Sequence, residues 1–189
     1  VPGIWLMPFS GSHEDPWYKD NQDWFVKRED GTPHESRWGG TALDMSNPEV
    51  LKYLKDEIKR IVHEWGYGYL KMDGLCSGAA VNHCYVNDVY KDDQMGDAVL
   101  FNPEKTNIEA YRDGLRLIRK TAGRKTFLLG CCAPQNMRSY GGPFGLIDAM
   151  RIGPDNGTSW KGIKTGPIYG ARNYHLHGRI WYNDPDPLY

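Results

Sequence analysis

Residues 46–74 run SNPEVLKYLKDEIKRIVHEWGYGYLKMDG, and their pattern decides the fold class. Ser46 and Asn47 offer a cap, Pro48 suits the first helical position, and Glu49 places an acid in the first turn. Val50, Leu51, Leu54, Ile58, Ile61 and Val62 recur at helical spacing as far as about Trp65, where Gly66 and Gly68 stop the helix. From Tyr67 to Asp73 the period changes, and the segment predicts a strand. A helix that feeds directly into a strand is half of a βαβ unit and implies a parallel sheet.

The same alternation extends outward on both sides. Upstream, residues 3–9 form an apolar run that predicts a buried strand, followed over residues 10–40 by a long polar loop carrying Trp17, Tyr18, Trp24, Phe25 and Trp38. Downstream, residues 74–104 predict a second long loop. Asn107 to Ala122 predicts a helix through Ile108, Tyr111, Leu115, Leu117 and Ile118, and Thr126 to Cys132 predicts a strand. Residues 133–145 predict a loop with room for a short helix, and Ile147 to Ile152 a strand. Trp160 to about His175 predicts a helix interrupted by Gly162, Gly166 and Pro167, and Ile180 to Tyr182 a last short strand. The count is about five strands joined by helices, with no hairpins between strands. An eight-stranded barrel needs roughly 250 residues. A chain of 189 therefore forms either a segment of a larger barrel or an open sheet.

The bulk chemistry excludes several functions. With 23 basic and 24 acidic side chains, the formal net charge of −1 supplies no basic field for nucleic acid. No apolar run approaches the ~20 residues of a membrane span. The chain begins with Val1 and lacks a basic leader, so it is expected to open within a protein or after processing. Four cysteines leave the compartment open, with the periplasm or exterior favoured over the cytoplasm. Adjacent Cys131 and Cys132 would bridge only with strain, and Cys76 and Cys84 could pair across a loop, which their spacing alone does not show; four thiols with no disulfide framework is the simpler expectation. His175 and His177 have the spacing of two metal ligands on a strand, but no third ligand cluster accompanies them, and no cofactor is expected.

Strand ends carry the chemistry of parallel α/β folds. Three predicted strands end in aspartates: Lys71-Met72-Asp73-Gly74, Arg151-Ile152-Gly153-Pro154-Asp155 and Asn183-Asp184-Pro185-Asp186. Alternation puts Lys71 and Asp73 on one face, where a lysine favours an ionised carboxylate. Arg151, four residues before Asp155, can steady an anion or a sugar hydroxyl. Two carboxylates across a pocket are the equipment for glycoside cleavage, one charged and one donating a proton. Asp73 before Gly74, and Asp155 within Pro154-Asp155-Asn156-Gly157, equally suit turns.

Several local words resemble the melibiase-type α-galactosidases of glycoside hydrolase families 36 and 27. Gly3-Ile4-Trp5-Leu6-Met7-Pro8 resembles their third barrel strand. Asp15-Pro16 to Trp24-Phe25-Val26 is similar to the loop that follows it, and Leu43-Asp44-Met45-Ser46-Asn47-Pro48-Glu49-Val50 to the next helix start. Tyr69-Leu70-Lys71-Met72-Asp73 resembles the nucleophile strand, Arg151 to Asp155 the acid/base segment, and Trp181-Tyr182-Asn183-Asp184-Pro185-Asp186 the seventh strand.

This resemblance implies an α/β fold, a (β/α)8 TIM barrel of which residues 1–189 supply about five βα units, the third to seventh strands. It implies a retaining enzyme acting on an oligosaccharide or glycoside, with Asp73 attacking the anomeric carbon and Asp155 as acid/base. Lys71 and Arg151 would hold sugar hydroxyls, Cys132 and Asp186 would contact substrate, and Trp5 would line the pocket. Met7-Pro8-Phe9, Leu75 and Gly130-Cys131-Cys132-Ala133-Pro134 depart from the family's usual words. The same machinery acting on another α-glycoside, a raffinose-synthase-like transglycosylase and a non-catalytic carbohydrate-binding barrel stand as alternatives.

Overall fold

The computed structural model describes residues 1–36, 38–81, 95–133, 143–155 and 158–186. Five parallel strands form its main sheet: β1 (Gly3–Leu6), β2 (Tyr69–Met72), β3 (Phe127–Gly130), β4 (Ala149–Arg151) and β5 (Tyr182–Asp184). Their order across the sheet is their order in the chain. Doubly wound sheets reverse strand order at a switch point, and this sheet does not. Parallel crossovers are almost always right-handed, and right-handed crossovers without reversal put their helices on one face, the winding expected of a barrel wall.

Two of the three longer helices supply that cover. In α1 (Pro48–Lys59) Asn47 caps the start, its side chain accepting from the Glu49 amide at 2.9 Å, with Pro48 at the first turn. A cap of this kind contributes about 1 kcal/mol. The helix runs on through a wider π turn, Arg60–Glu64, before Gly66 turns the chain at φ 78°. In α2 (Asn107–Ala122) Thr106 and Glu109 close a reciprocal capping box. Val50, Leu54 and Ile58 of α1, and Tyr111, Leu115 and Ile118 of α2, are buried in one core with Leu70, Met72, Leu128 and Met150. Truncating one of these to Ala would cost about 2–5 kcal/mol. Arg119 of α2 ties the sheet's lower edge together. It donates to the carbonyls of Gly123, Thr126 and Leu146 and pairs with Asp148 at 2.5 Å, while Asp148 also accepts from the Leu128 amide. The third helix, α3 (Trp160–Arg172), continues through Pro167 and buries little beyond Gly166.

The opposite face is partly open among the described residues: it carries exposed aromatics, while Leu129 and Ala149 in its middle are buried. Trp5, Phe127 and Tyr182 are 53%, 39% and 58% exposed, and alternation places them on the same side as Tyr69 and Lys71. The Tyr69 ring lies over Gly3, where a Cβ would stand 2.3 Å from it, and packs on Phe127 with ring centroids 5.8 Å apart.

Three sequence expectations need correction. The first strand is not buried over residues 3–9. It spans only Gly3–Leu6 and is exposed or half-buried, because it is a sheet edge facing the open side. Residues 10–40 are not simply a loop. They hold a five-residue helix, Pro16–Asp20, and the short strands Ser10–Gly11 and Glu35–Ser36 on either side of Gly40–Ala42 in an antiparallel sheet. Glu35–Ser36 and Gly40–Ala42 form the hairpin that the alternation had excluded. Lys27–Arg28 pairs with Ala98–Val99, tying this insert to the segment after β2. The last strand is Tyr182–Asp184, displaced from residues 180–182 because its register follows β4 and Trp181 is buried against Phe144. The predicted short helix in residues 133–145 falls largely on residues 134–142, outside the described ones.

Candidate active site

The C-terminal ends of β2, β3 and β4 meet at one rim of the sheet. Asp73 follows β2, its amide donating to the Leu6 carbonyl at 2.9 Å. Cys131 follows β3, its amide donating to the Met72 carbonyl at 2.8 Å. Arg151 ends β4. The parallel register aligns Lys71 with Leu129 and Leu129 with Ala149, so two residues further on in each case, Asp73, Cys131 and Arg151 share one face.

Asp73 is 8% exposed. Its Oδ2 accepts from the Trp5 indole Nε1 at 3.1 Å and its Oδ1 from the Gly74 amide at 2.9 Å. Gly74 turns there with φ 59°, and a Cβ would stand 2.5 Å from the Met7 terminal methyl. Burial pushes the Asp73 carboxyl up. Hydrogen bonds from Trp5, Gly74, Cys131 and Cys132 outweigh that, holding it below its ordinary range. The anion is thus held by fixed donors. Lys71, expected to be its stabiliser, is half-buried on the same face but does not hydrogen-bond it among the described residues.

Cys131 is buried, and hydrogen bonding to Cys132, burial and the Asp73 charge push its thiol far up, so it stays protonated and donates. Cys132 has φ 49°, in the left-handed region. That backbone turn breaks the alternation which would send adjacent side chains to opposite faces. The Asp73 carboxylate and both sulfurs therefore lie within 4.8 Å of one another. Cys131 was missed by the sequence reading. Counting alternate residues from Leu129 would have found it.

Arg151 is 4% exposed and shares its guanidinium between two carboxylates. Nη2 stands 2.5 Å from Asp155 Oδ1 and 3.0 Å from Asp186 Oδ2, while Nη1 lies 4.0 Å from Cys131 Sγ. The Asp155 side chain is 97% exposed and that of Asp186 10%. Burial opposes the charge on Arg151, and Cys131, Asp155 and Asp186 outweigh it, keeping the guanidinium firmly charged. Asp186 has φ 76°, and its amide donates to Asp184 Oδ1 at 3.0 Å, a local turn that aims its carboxylate at Arg151. A continuous path, Asp73–Cys131–Arg151–Asp155, thus joins the two proposed carboxylates on one rim. All seven residues singled out from the sequence (Trp5, Lys71, Asp73, Cys132, Arg151, Asp155 and Asp186) fall at this end or on this face of the sheet.

Other sequence features lie elsewhere. Cys76 is a buried, reduced thiol, and Cys84 is outside the described residues. His177 Nδ1 accepts from the Asn183 amide at 3.1 Å, which orients the β5 entry. A surface depression of about 680 Å³ beside Trp24, Asn47 and Phe101 shares no lining residue with the carboxylate group. No helix among the described residues is long and apolar enough to cross a membrane.

No protein-family model matches the chain. Among solved structures, the chain is similar to an α-galactosidase from Thermus thermophilus, solved in complex with p-nitrophenyl α-D-galactopyranoside. Identity is 25% and the TM-score 0.73 over 99% of this chain and 36% of that one. A cycloalternan-degrading enzyme from Trueperella pyogenes, bound to isomaltose, matches with 15% identity and TM-score 0.59 over 95% of this chain and 25% of its own. A GH31 family sulfoquinovosidase from E. rectale matches with 14% identity and TM-score 0.52 over 83% and 22%. The last two show likeness of fold alone. The chain spans about a third of the Thermus enzyme, and over that span it is similar to an α-galactosidase.

Proposed function

We propose that this chain is the central part of a glycoside hydrolase barrel, contributing the third to seventh of eight strands, and that it carries the catalytic pair of a retaining α-galactosidase. The observation that carries the reading is the Asp73 carboxylate. It stands at the C-terminal end of a central strand, held ionised by the Trp5 indole and the Gly74 amide, and faces the open side of the sheet. An open face lined by Trp5, Tyr69, Phe127 and Tyr182 fits a wall whose remaining strands complete the barrel. The likeness to the Thermus enzyme, with its aryl galactoside, supports galactose as the sugar.

In this mechanism Asp73 attacks the anomeric carbon as the glycosidic bond breaks, forming a covalent glycosyl-enzyme. Fixed donors keep the carboxylate charged and aimed without reorganisation. Asp155 gives its proton to the leaving oxygen and later takes one from water. Asp155 stands against the Arg151 guanidinium, so to reach a leaving oxygen it must leave that contact. The exposed Asp155 has room to swing, and Asp186, deeper and 3.0 Å away, keeps Arg151 paired when it does. Trp5 offers its ring beside the nucleophile, and Lys71, Cys132, Arg151 and Asp186 offer donors and acceptors to sugar hydroxyls. No metal enters these steps.

The test is Asp73→Ala in the intact protein, assayed on an activated aryl α-galactoside with and without azide. Loss of turnover, with azide restoring it as a glycosyl azide of inverted configuration, is expected. Full turnover in the variant refutes the assignment.

A further inference from the structure

Two adjacent thiols and a carboxylate converge where one nucleophile would suffice. Cys131 and Cys132 follow each other on the chain, and extended backbone would point them apart. The left-handed Cys132, at φ 49°, instead brings both sulfurs beside Asp73, all three ligand atoms lying within 4.8 Å. A β-strand end seldom places a non-glycine residue in that conformation, which costs about 1–2 kcal/mol. The backbone around it is well anchored. The Cys131 amide donates to Met72, and the Leu75 and Cys76 amides donate to the carbonyls of Cys131 and Cys132 at 3.3 and 2.8 Å.

We propose that Asp73, Cys131 and Cys132 form a chelating site for a thiophilic divalent cation, of which Zn²⁺ is the model case, and that the bound ion occupies the carboxylate otherwise available to substrate. In tetrahedral coordination two sulfurs each ~2.3 Å from zinc stand roughly 3.8 Å apart. Starting from a span of at most 4.8 Å, the ligands need to close by only about 1 Å. The set of two soft sulfurs and one oxygen selects zinc or cadmium over magnesium or calcium, which take oxygen ligands. Binding replaces two S–H bonds by two metal–sulfur bonds and releases two protons, with no change of oxidation state. The ion is a competitor for the site and not a cofactor. The chelation stands on the geometry of three side chains. Only its effect on turnover rests on the hydrolytic reading.

The probe is Cd²⁺, whose thiolate complexes absorb by charge transfer in the ultraviolet. It is titrated into the intact protein carrying Cys76→Ala and Cys84→Ser, so that of the four cysteines in residues 1–189 only the adjacent pair remains, and the band is read as the difference from the same protein with Cys131 and Cys132 also replaced. One ion per chain with the absorbance of two cadmium–sulfur bonds is expected. Cys131→Ser or Cys132→Ser should halve that band. Asp73→Asn should keep the band and weaken affinity at least about tenfold, since even outer-shell partners of a metal site typically contribute that much. Calorimetry of the Cys76→Ala, Cys84→Ser protein in buffers of different ionisation enthalpy should count two protons released per ion, a readout that needs no ligand variant to fold. Absence of the band, unchanged affinity in Asp73→Asn or release of fewer than two protons overturns the site. None of these outcomes depends on glycosidase activity.

Discussion

One guanidinium holds two carboxylates in different surroundings, and substituting each separates architecture from chemistry. Asp186 is 10% exposed at its side chain and stands 3.0 Å from Arg151, itself 4% exposed. In Asp186→Asn the backbone strain is unchanged, because Asn accepts the left-handed conformation that φ 76° requires at least as readily. Only the charge is lost, and Arg151 keeps a buried charge with its deeper partner gone. Breaking a buried pair in this way costs about 3 kcal/mol. At a slope of about 2 kcal/mol per molar urea, the unfolding midpoint should fall by roughly 1.5 M with the slope unchanged. Asp155 is paired to the same atom, yet its side chain is 97% exposed, where solvent screens the attraction and such pairs often contribute nothing measurable. Asp155→Asn should therefore leave the urea midpoint essentially unmoved. Turnover should nevertheless fall on the order of 10²–10⁴-fold for a substrate with a poor leaving group. It should fall far less in the glycosylation step for an aryl glycoside, whose departure needs little protonation. The assay is paired urea denaturation and kcat/KM on both substrates in the intact protein. Equal destabilisation by the two variants, or an Asp155→Asn enzyme that hydrolyses the poor leaving group normally, would refute this division of roles.

Two further outcomes follow from individual contacts. Trp5→Phe removes the 3.1 Å indole bond that, with Gly74 and the thiols, outweighs the burial of Asp73. Because that carboxyl is depressed in the folded state, its stabilising contribution is present above its unfolded value and lost as pH falls through the folded one. The variant should therefore move the acidic limb of the kcat/KM profile to higher pH, and an unmoved limb would show that Trp5 does not tune the nucleophile. Arg119→Met deletes the donor to three carbonyls and the partner of Asp148, so thermal and urea unfolding should show a loss of about 3 kcal/mol. Activity per folded molecule should be retained, since this cluster lies at the end of the sheet opposite the carboxylates.

The helix–strand alternation was legible because α1 and α2 each bury a single stripe and β2 and β3 follow them after short turns. Local periodicity and caps such as Asn47 and Thr106 carry that information within a few residues. The placement of Asp73 and Arg151 was legible for the same reason: a residue that closes a strand's pattern stands at the C-terminal rim of the sheet whatever its neighbours are. The antiparallel insert over residues 10–42 was not, because its strands are two or three residues long and are stabilised by partners as distant as Ala98 and Val99. Nor was the source of the charge on Asp73. The nearby Lys71 suggested an ion pair, whereas the donors come from the neighbouring strand's Trp5 and from the thiols after β3.

By itself the sequence determined the parallel α/β class, the order of its main elements and which acids end which strands, since these depend on spacing along one chain. Only the tertiary structure decided that Trp5, Phe127 and Tyr182 stand exposed on one sheet face, that a left-handed Cys132 turns its sulfur back toward Asp73, and that Arg151 divides itself between an exposed and a buried carboxylate. Those outcomes depend on burial and on distances between residues tens of positions apart, which the packed sheet sets and local patterning does not encode.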